Sequence, residues 1–382
     1  MKSKANVVIV GGGIIGASIA YYLAKAGVED IIIIDKEYPS SGSTGRCGAG
    51  VRHQWGLEMN CLLAKDSIME FERLHEEIPT DFDIDFKQKG YLMLAYTDKQ
   101  VEQYKKNIKL QKSLGIDVNL LTPREAKEIV PHLNTEDLLA ATFCPKDGHI
   151  NPFIANLVYI IGAERLGVKV QKYTEVIDVE VKNGKVKSVL TTKGRVETNY
   201  LINAAGPYSQ HIAEMAGVKI PVYSERHQIL VTQPVKLIQD PMVISLKHGF
   251  YCQQVPHGSF IMGFGDPNEL KTTELSSSWN FMEEMAERVL PVLPVLKDFK
   301  VVRQWSGSYN MTPDAQPILG NSEEVNNLYF ACGFSGHGFM LAPSVAKLTA
   351  QMLTDKPLDI DVNVLNLKRF AEDKLIKEPS VV

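Results

Sequence analysis

Cysteine is scarce in this chain, and its spacing excludes the usual cysteine frameworks. Only five cysteines occur among 382 residues, at positions 47, 61, 144, 252 and 332, and no two of them form a C-x-x-C pair. Widely spaced cysteines in odd number argue against a disulfide framework, a zinc site and an iron–sulfur cluster. The pattern is typical of a reducing compartment, so we expect a cytoplasmic protein.

Basic tracts and long apolar runs are also missing. The formal net charge is −4, with 45% hydrophobic and 23% charged residues, so a nucleic acid or an anionic membrane is not an expected partner. The stretch Val7 to Ala24 resembles a signal peptide, but it contains four glycines and runs on into another strand, so we interpret it as folded core. No other segment reaches the roughly 18 apolar residues of a membrane helix.

The first 35 residues predict one βαβ unit. A β-branched strand at Val7–Val10 precedes a helix at Ile14–Ala26, and "DIIIID" at Asp30–Asp35 forms a second buried strand. This arrangement predicts an α/β fold. Helical patterns follow at 59–78, 99–115, 152–166 and 278–290, and "KGYLMLAY" at 89–96 predicts a strand. Between 168 and 205 strands alternate, with an Asn183–Gly184 hairpin turn.

The α/β pattern occurs in separated parts of the chain, which predicts a discontinuous domain. We expect a Rossmann-like cofactor domain built from residues 1–85, 150–217 and 310–382. An inserted α+β, sheet-rich domain for substrate binding or subunit contact would then comprise residues 86–149 and 218–309.

A dinucleotide fingerprint stands at the first strand-to-helix turn. Gly11, Gly13 and Gly16 satisfy G-x-G-x-x-G, and Asp35 ends the next strand, where an acid can accept hydrogen bonds from a ribose. The glycines allow the tight turn, the approach of a pyrophosphate and close helix–strand packing. The competing interpretation is a glycine-rich turn followed by a surface aspartate.

Three further loops of small residues favour a flavin over a nicotinamide cofactor. They are "SGSTGRCGAGVRH" at 41–53, "INAAGPYS" at 202–209 and "CGFSGHG" at 332–338, the last lying between a strand at 328–331 and a helix that we expect at 343–353. An extended FAD needs bare backbone along its whole length, so the sequence predicts FAD.

Together with "YNMTPDAQPILG" and "FACGFSGHGFML", these motifs resemble the FAD-dependent D-amino-acid oxidase superfamily over essentially the full length. The branch is that of sarcosine oxidase, glycine oxidase and dimethylglycine dehydrogenase, and the chain is most similar there to β subunits of heteromeric dye-linked L-proline dehydrogenases. The resemblance implies a glutathione-reductase-type FAD domain and the following further FAD-binding residues: Ile14, Ile15, Lys36, Ser43, Thr44, Arg46, Cys47, Gly50, Val51, Val176, Ala204, Ala205, Gly206, Gly307, Gly333, Gly336, His337, Gly338, Phe339 and Met340.

The same resemblance implies four residues of the substrate site. Arg52 matches an arginine that holds the substrate carboxylate, although it can instead stabilise the flavin loop. Tyr251 matches an aromatic hydroxyl above the flavin, with core packing as the alternative. His337 contacts flavin or substrate, or is structural, and Met340 makes the pocket apolar. Arg46 lies near the flavin ring, with a surface or pyrophosphate position as its alternative.

Departures from the family pattern refine this expectation. Met340 replaces a second carboxylate-binding lysine, and Ile261 stands near the position of a lysine that activates oxygen. Gly307 replaces a cysteine that tethers FAD, and Pro152 lies near a histidine that tethers FMN. The resemblance therefore implies noncovalent flavins, slow reaction with oxygen and a pocket suited to an apolar ring.

These observations lead us to expect an FAD-dependent amino-acid dehydrogenase acting on a secondary amine, with L-proline as the substrate. A second subunit, with FMN at the interface, would take the electrons. The alternatives are a sarcosine or glycine oxidase that releases peroxide, and a flavin-bearing scaffold without a substrate of its own.

Overall fold

The computed structural model of the protein describes residues 3–266 and 268–379. Its α-helices are α1 (Ile14–Lys25), α2 (Glu58–Glu77), α3 (Asp98–Ser113), α4 (Pro123–Ile129), α5 (Pro152–Arg165), α6 (Ser209–Met215), α7 (Asn280–Val289) and α8 (Gly338–Leu353). Its strands are β1 (Lys4–Val10), β2 (Ile31–Ile34), β3 (Gly50–Val51), β4 (Tyr91–Ala95), β5 (Asn119–Leu121), β6 (Ala140–Cys144), β7 (Gly148–His149), β8 (Lys169–Gln171), β9 (Val176–Lys182), β10 (Lys185–Thr191), β11 (Gly194–Asn203), β12 (Tyr223–Thr232), β13 (Met242–Ser245), β14 (Phe250–Gln254), β15 (Phe260–Phe264), β16 (Val301–Met311), β17 (Ile318–Asn321) and β18 (Leu328–Cys332).

The first sheet has the strand order β17-β18-β11-β1-β2-β8, with β10 and β9 continuing from β11. Strands β18, β11, β1, β2 and β8 run parallel to one another. Residues Val7–Val10 of β1 and all of β2 are apolar on both faces because both faces are covered there. Val7 and Ile9 face the core formed with α1, α2, α5 and α8, whereas Val8 and Val10 face β9, β10 and α6. This is the α/β arrangement that the βαβ pattern predicts.

The second sheet has the order β16-β12-β15-β14-β13-β4-β6-β5 and is antiparallel except between β13 and β4. Helices α4 and α7 pack on one face of it through residues such as Phe281 and Met285. The opposite face carries Tyr91, Met93 and Tyr251. Its strands come from two separated parts of the chain, 91–144 and 223–311, and the expected domain boundaries stay a prediction.

Most of the helices, strands and turns predicted from the sequence are present in the structure, and one predicted helix boundary is wrong. The Asn183–Gly184 turn joins β9 to β10 with both residues at positive φ, as a two-residue hairpin requires. Helix α8, however, begins at Gly338 and not near Pro343. The glycine-rich sequence predicts a loop up to Pro343, but Gly338 and Phe339 already belong to the first turn of the helix, and Pro343 lies inside it. Within the described ranges, no helix has both the length and the apolar character to cross a bilayer.

Candidate functional site

A cavity of about 490 Å³ lies where the carboxyl ends of the first sheet meet one face of the second sheet. Many of the residues expected to bind FAD or substrate line it: Gly11, Gly13, Ile14, Ile15, Asp35, Lys36, Ser43, Thr44, Arg46, Cys47, Val176, Ala204, Ala205, Gly206, Tyr251, Gly307, Gly336, Gly338 and Phe339. The carboxyl edge of a parallel sheet is the usual ligand position in open α/β folds.

One end of the cavity is formed by the start of α1. Gly11 has φ +109°, and a Cβ there would lie 2.3 Å from the carbonyl oxygen of Ala204, so only glycine fits. Gly13, the residue before the helix, has no side chain to cap it, and its backbone faces the cavity. The hydroxyl of Thr44 accepts from the N–H of Ile14 at 3.0 Å. The Asp35 carboxylate accepts hydrogen bonds from the N–H groups of Gly12 at 2.7 Å and Glu37 at 2.8 Å, which fix it at the cavity edge. The positive end of the helix dipole favours an anion, and Asp35 favours a hydroxyl donor.

The start of α8 lines another part of the same cavity. His337 is the residue before the helix and provides no side-chain cap. Gly336 has φ +88°, and a Cβ there would lie 2.5 Å from the ring of Tyr309. The side-chain Nδ2 of Asn310 also belongs to this region, and it has no hydrogen-bond partner among the described residues. The cavity therefore runs between two helix N-termini and includes a buried donor that a ligand can satisfy.

A stack of aromatic rings forms part of the wall. The ring of His227 lies parallel to that of Tyr309 at 4.1 Å between centroids, and its Nε2 is 3.1 Å from the hydroxyl of Tyr251. Burial lowers the pKa of His227 to about 4 and raises the pKa of Tyr251 well above its ordinary value. Near neutral pH the histidine is therefore uncharged and the tyrosine keeps its proton.

Arg46 lies in the wall of the cavity. Its Nε donates to the carbonyl oxygen of Ser41 at 3.3 Å, and its own carbonyl accepts from Nε1 of Trp305 at 2.9 Å. Gly307 allows this approach, because a Cβ there would lie 3.1 Å from Cβ of Arg46. Cys47 is adjacent, and burial raises the pKa of its thiol to about 11.

Arg52 does not line this cavity. Its side chain is 3% exposed, and its guanidinium carbon lies 4.2 Å from the ring centroid of Trp55. Trp55 in turn packs edge-on against His337, with 4.7 Å between ring centroids. Burial and then the nearby charge of Arg52 lower the pKa of His337 to about 3. Arg52 therefore sits behind the segment that leads into α8.

The remaining predicted residues also lie outside the cavity lining. Gly16 allows α1 to pack closely against the turn that follows β1, because a Cβ at this position would lie 2.0 Å from the carbonyl oxygen of Gly11. Gly50 and Val51 form β3, which pairs with β7. Gly333 has φ +73°, and His337 and Met340 flank the start of α8, with Met340 packed against the first core. Their expected roles stay predictions.

Three buried residues next to Arg52 present possible metal ligands. His53, Cys144 and Asp147 place a nitrogen, a sulfur and an oxygen within 4.8 Å of one another. The Asp147 carboxylate is already engaged, since Oδ1 accepts from the backbone N–H of His53 at 2.7 Å and lies 2.9 Å from its Nδ1. Burial raises the pKa of the Cys144 thiol, which disfavours the thiolate that a metal needs. The geometry is that of a hydrogen-bonded network.

Sequence reasoning missed His227, Tyr309 and Asn310. His227 lies on β12 and the other two on β16, strands that pair along their length with His227 opposite Gly307. Alternation along a strand places Tyr309 on the same face as Gly307, and that was the available signal. The sequence does not reveal which face of an unassigned strand meets a ligand.

Comparison with known proteins agrees with this geometry. The family model DAO, described as FAD dependent oxidoreductase, matches residues 6–352. The crystal structure of L-proline dehydrogenase from P. horikoshii superimposes with a TM-score of 0.94 at 39% identity, covering 98% of this chain and 100% of that one. The sarcosine oxidase subunit beta of Rhodobacter capsulatus is 28% identical, over 99% of this chain and 91% of its own length.

Dimethylglycine dehydrogenase of Rattus norvegicus is also 28% identical over 97% of this chain. The chain spans less than half of that relative, 45% of its length.

Proposed function

The chain belongs to the DAO family of FAD dependent oxidoreductases, and from that premise we propose that it is the FAD-binding subunit of a dehydrogenase that oxidises the C–N bond of L-proline. The cavity that joins the starts of α1 and α8 carries this proposal, because it suits an extended anionic cofactor. The similarity to the L-proline dehydrogenase of P. horikoshii supports the proposal that L-proline is the substrate.

The residues present fit FAD. The start of α1 would hold the pyrophosphate, Asp35 the adenosine ribose, and the start of α8 together with Nδ2 of Asn310 the polar edge of the ring. When bound, FAD supplies the acceptor for the two electrons that leave the C–N bond. Gly307 offers no side chain for a covalent link, so the cofactor would be noncovalent.

The chain's own residues would orient the amine. In the tautomer that carries its proton on Nδ1, neutral His227 would accept a hydrogen bond from the Tyr251 hydroxyl at Nε2. The tyrosine oxygen would then keep lone pairs that can accept an N–H of the substrate. Arg46 is the arginine on the cavity wall. Arg52 lies outside the lining, against Trp55, which packs on His337, so for Arg52 to bind the carboxylate the substrate would extend beyond the lined volume toward this group. Aromatic and aliphatic side chains around them exclude water from the reacting atoms.

Electrons would leave through a different subunit, with a noncovalent FMN at the interface. The similarity to a protein named as the beta subunit of a sarcosine oxidase supports this part. The FAD to FMN ratio of the protein purified from its own cells tests it: FAD alone, with no second chain, contradicts the hetero-oligomer.

The deciding experiment is anaerobic mixing of the oxidised protein with L-proline, sarcosine and glycine. We expect L-proline to bleach the flavin absorbance fastest, and a dye to restore it faster than oxygen does. Faster reduction by sarcosine or glycine with stoichiometric peroxide indicates an oxidase. No bleaching by any amino acid indicates a scaffold.

A further inference from the structure

The segment Arg52–Leu57 is held at both ends by carboxylates from distant parts of the chain. At its beginning, Asp147 accepts from the backbone N–H of His53 through Oδ1 and from Nε2 of Gln54 through Oδ2, at 2.7 and 2.9 Å. Asp147 is fully buried on the turn between β6 and β7. The first half of the segment is thus attached to the second sheet.

The other end is held by Glu378. Its Oε1 accepts from the N–H of Gly56 at 2.7 Å, and its Oε2 accepts from the N–H of Leu57 at 3.2 Å and from Nδ2 of Asn60 at 2.9 Å. Leu57 is the residue before α2 and has no side chain that can cap the helix. Glu378 therefore supplies the N-terminal cap of α2 from more than 300 residues away, with its charge at the favourable end of the helix dipole.

Between the two attachment points lies the pair Arg52 and Trp55. The indole Nε1 of Trp55 donates to the carbonyl of Arg52 at 3.2 Å, and the guanidinium lies over the indole ring. The carbonyl of Trp55 accepts from Nε2 of Gln111 at 2.7 Å. Because Gly56 directly follows Trp55, the cap by Glu378 fixes the ring on which the guanidinium rests.

Glu378 is held in place by contacts that the segment 369–379 makes with the rest of the chain. Arg369 is 3% exposed and forms a two-point ion pair with Asp314, Nε to Oδ2 at 2.8 Å and Nη2 to Oδ1 at 3.0 Å. The N–H of Ile376 donates to the same Asp314 carboxylate at 3.2 Å. This anchor lies two residues before Glu378, and Pro379 then packs on Gly56. The position of Glu378 thus follows from contacts made by the segment 369–379.

We propose that Glu378 is a positioning residue for Arg52: by capping Gly56 and Leu57 it sets the place of Trp55 and so aims the guanidinium at the substrate carboxylate. The inference rests on the proposed function, since it assigns Arg52 to the anion. Glu378 touches neither substrate nor cofactor in this role. A cap alone would affect stability, whereas a positioning residue also affects carboxylate affinity.

The test is Glu378→Gln in the holoprotein, whose amide cannot accept from all three donors. The matched control is Glu372→Gln in the same segment, because Glu372 pairs only with the exposed Lys374 among the described contacts. Two probes are used: pyrrole-2-carboxylate, which is unreactive and is titrated against the flavin absorbance, and L-proline in anaerobic reduction. Amide exchange of the peptide containing Gly56 and Leu57 reports whether the cap is lost.

We expect faster exchange, about tenfold weaker binding of both carboxylates and a nearly unchanged limiting rate of reduction in Glu378→Gln, with Glu372→Gln like the wild type. Faster exchange with unchanged carboxylate affinity overturns the inference, because the cap is then only structural. Absence of pyrrole-2-carboxylate binding by the wild type overturns it as well. Binding of that probe without reduction by any amino acid defeats the proposed function alone. If Glu378→Gln does not fold, Glu378→Asp, which keeps the charge but is shorter, gives the same comparison.

Discussion

The hydroxyl of Tyr251 lies 3.1 Å from Nε2 of His227, and both residues line the cavity proposed for FAD and substrate. They come from strands β14 and β12, which are not neighbours, because β15 lies between them. The hydrogen bond crosses Gly263 of β15, where a Cβ would lie 2.5 Å from the tyrosine hydroxyl. A glycine in the intervening strand thus makes the pair possible.

Removing the Tyr251 hydroxyl should weaken the substrate complex while FAD stays bound. Tyr251→Phe removes the acceptor for the substrate N–H, and one such hydrogen bond contributes about 1–2 kcal/mol. We expect about 5–30-fold lower efficiency of flavin reduction by L-proline in stopped-flow absorbance. Tyr96→Phe is the control, since the Tyr96 hydroxyl is buried without a partner among the described residues. Equal efficiency in both variants contradicts the role.

The neutral state of His227 makes stability depend on pH. Its folded pKa is about 4 against an ordinary value of 6.5, so the unfolded chain binds more protons between these values. Stability from this residue is therefore present above pH 6.5 and is lost as the pH falls, by about 2 kcal/mol at pH 5. Urea denaturation of the apoprotein at pH 7 and pH 5 measures it. His227→Gln should lose less stability over that interval than the wild type, and an identical loss rejects the assignment.

Gly336 should be required for cofactor binding. Gly336→Ala places a methyl group against the Tyr309 ring and strains a positive φ, which costs on the order of 1–2 kcal/mol from the backbone alone. We expect reduced FAD content, measured as the absorbance ratio of flavin to protein after acid release. Gly27→Ala is the matched control, because Gly27 has φ +90° with no atom within 4 Å. Full FAD content in Gly336→Ala would be inconsistent with a ligand at the start of α8.

Arg52 and Arg46 can be separated by their effects on substrate affinity. Arg52→Ala should raise the L-proline concentration for half-maximal flavin reduction, since losing a charge-assisted pair costs about 2–5 kcal/mol. Arg46→Ala should affect FAD content more than substrate affinity. If only Arg46→Ala weakens L-proline binding, the carboxylate site belongs to the arginine on the wall. Anaerobic titrations with each variant's flavin content as reference decide between them.

Ile261 should limit the reaction with oxygen. Phe260, Met262 and Phe264 face the core formed with α7, so Ile261 points to the same face of β15 as Gly263, which adjoins Tyr251. A cation near the reduced flavin would stabilise superoxide. Ile261→Lys should therefore speed reoxidation of dithionite-reduced protein in air-saturated buffer, whereas Ile261→Gln should not. Wild-type reoxidation as fast as in an oxidase defeats the dehydrogenase proposal.

Local patterns in the sequence determined much of the first sheet and the cofactor end of the cavity. The run Val7–Val10, the glycines at 11, 13 and 16, and Asp35 all lie within one βαβ unit, where spacing along the chain nearly equals spacing in space. The Asn183–Gly184 turn is local in the same sense. Short-range sterics and hydrogen bonding therefore sufficed to place them.

Only the tertiary structure decided which residues meet at the end of the cavity proposed for the substrate. His227 meets Tyr251 because β12, β15 and β14 pair in one register, and a shift by one residue would turn His227 to the other face. The hydrogen bond from the N–H of Gly56 to Glu378 joins residues that are 322 positions apart in the sequence. No periodic pattern of residues predicts a contact over that distance. The start of α8 also depends on packing, because glycine has little preference for helix and gains it here between Phe334 and the core.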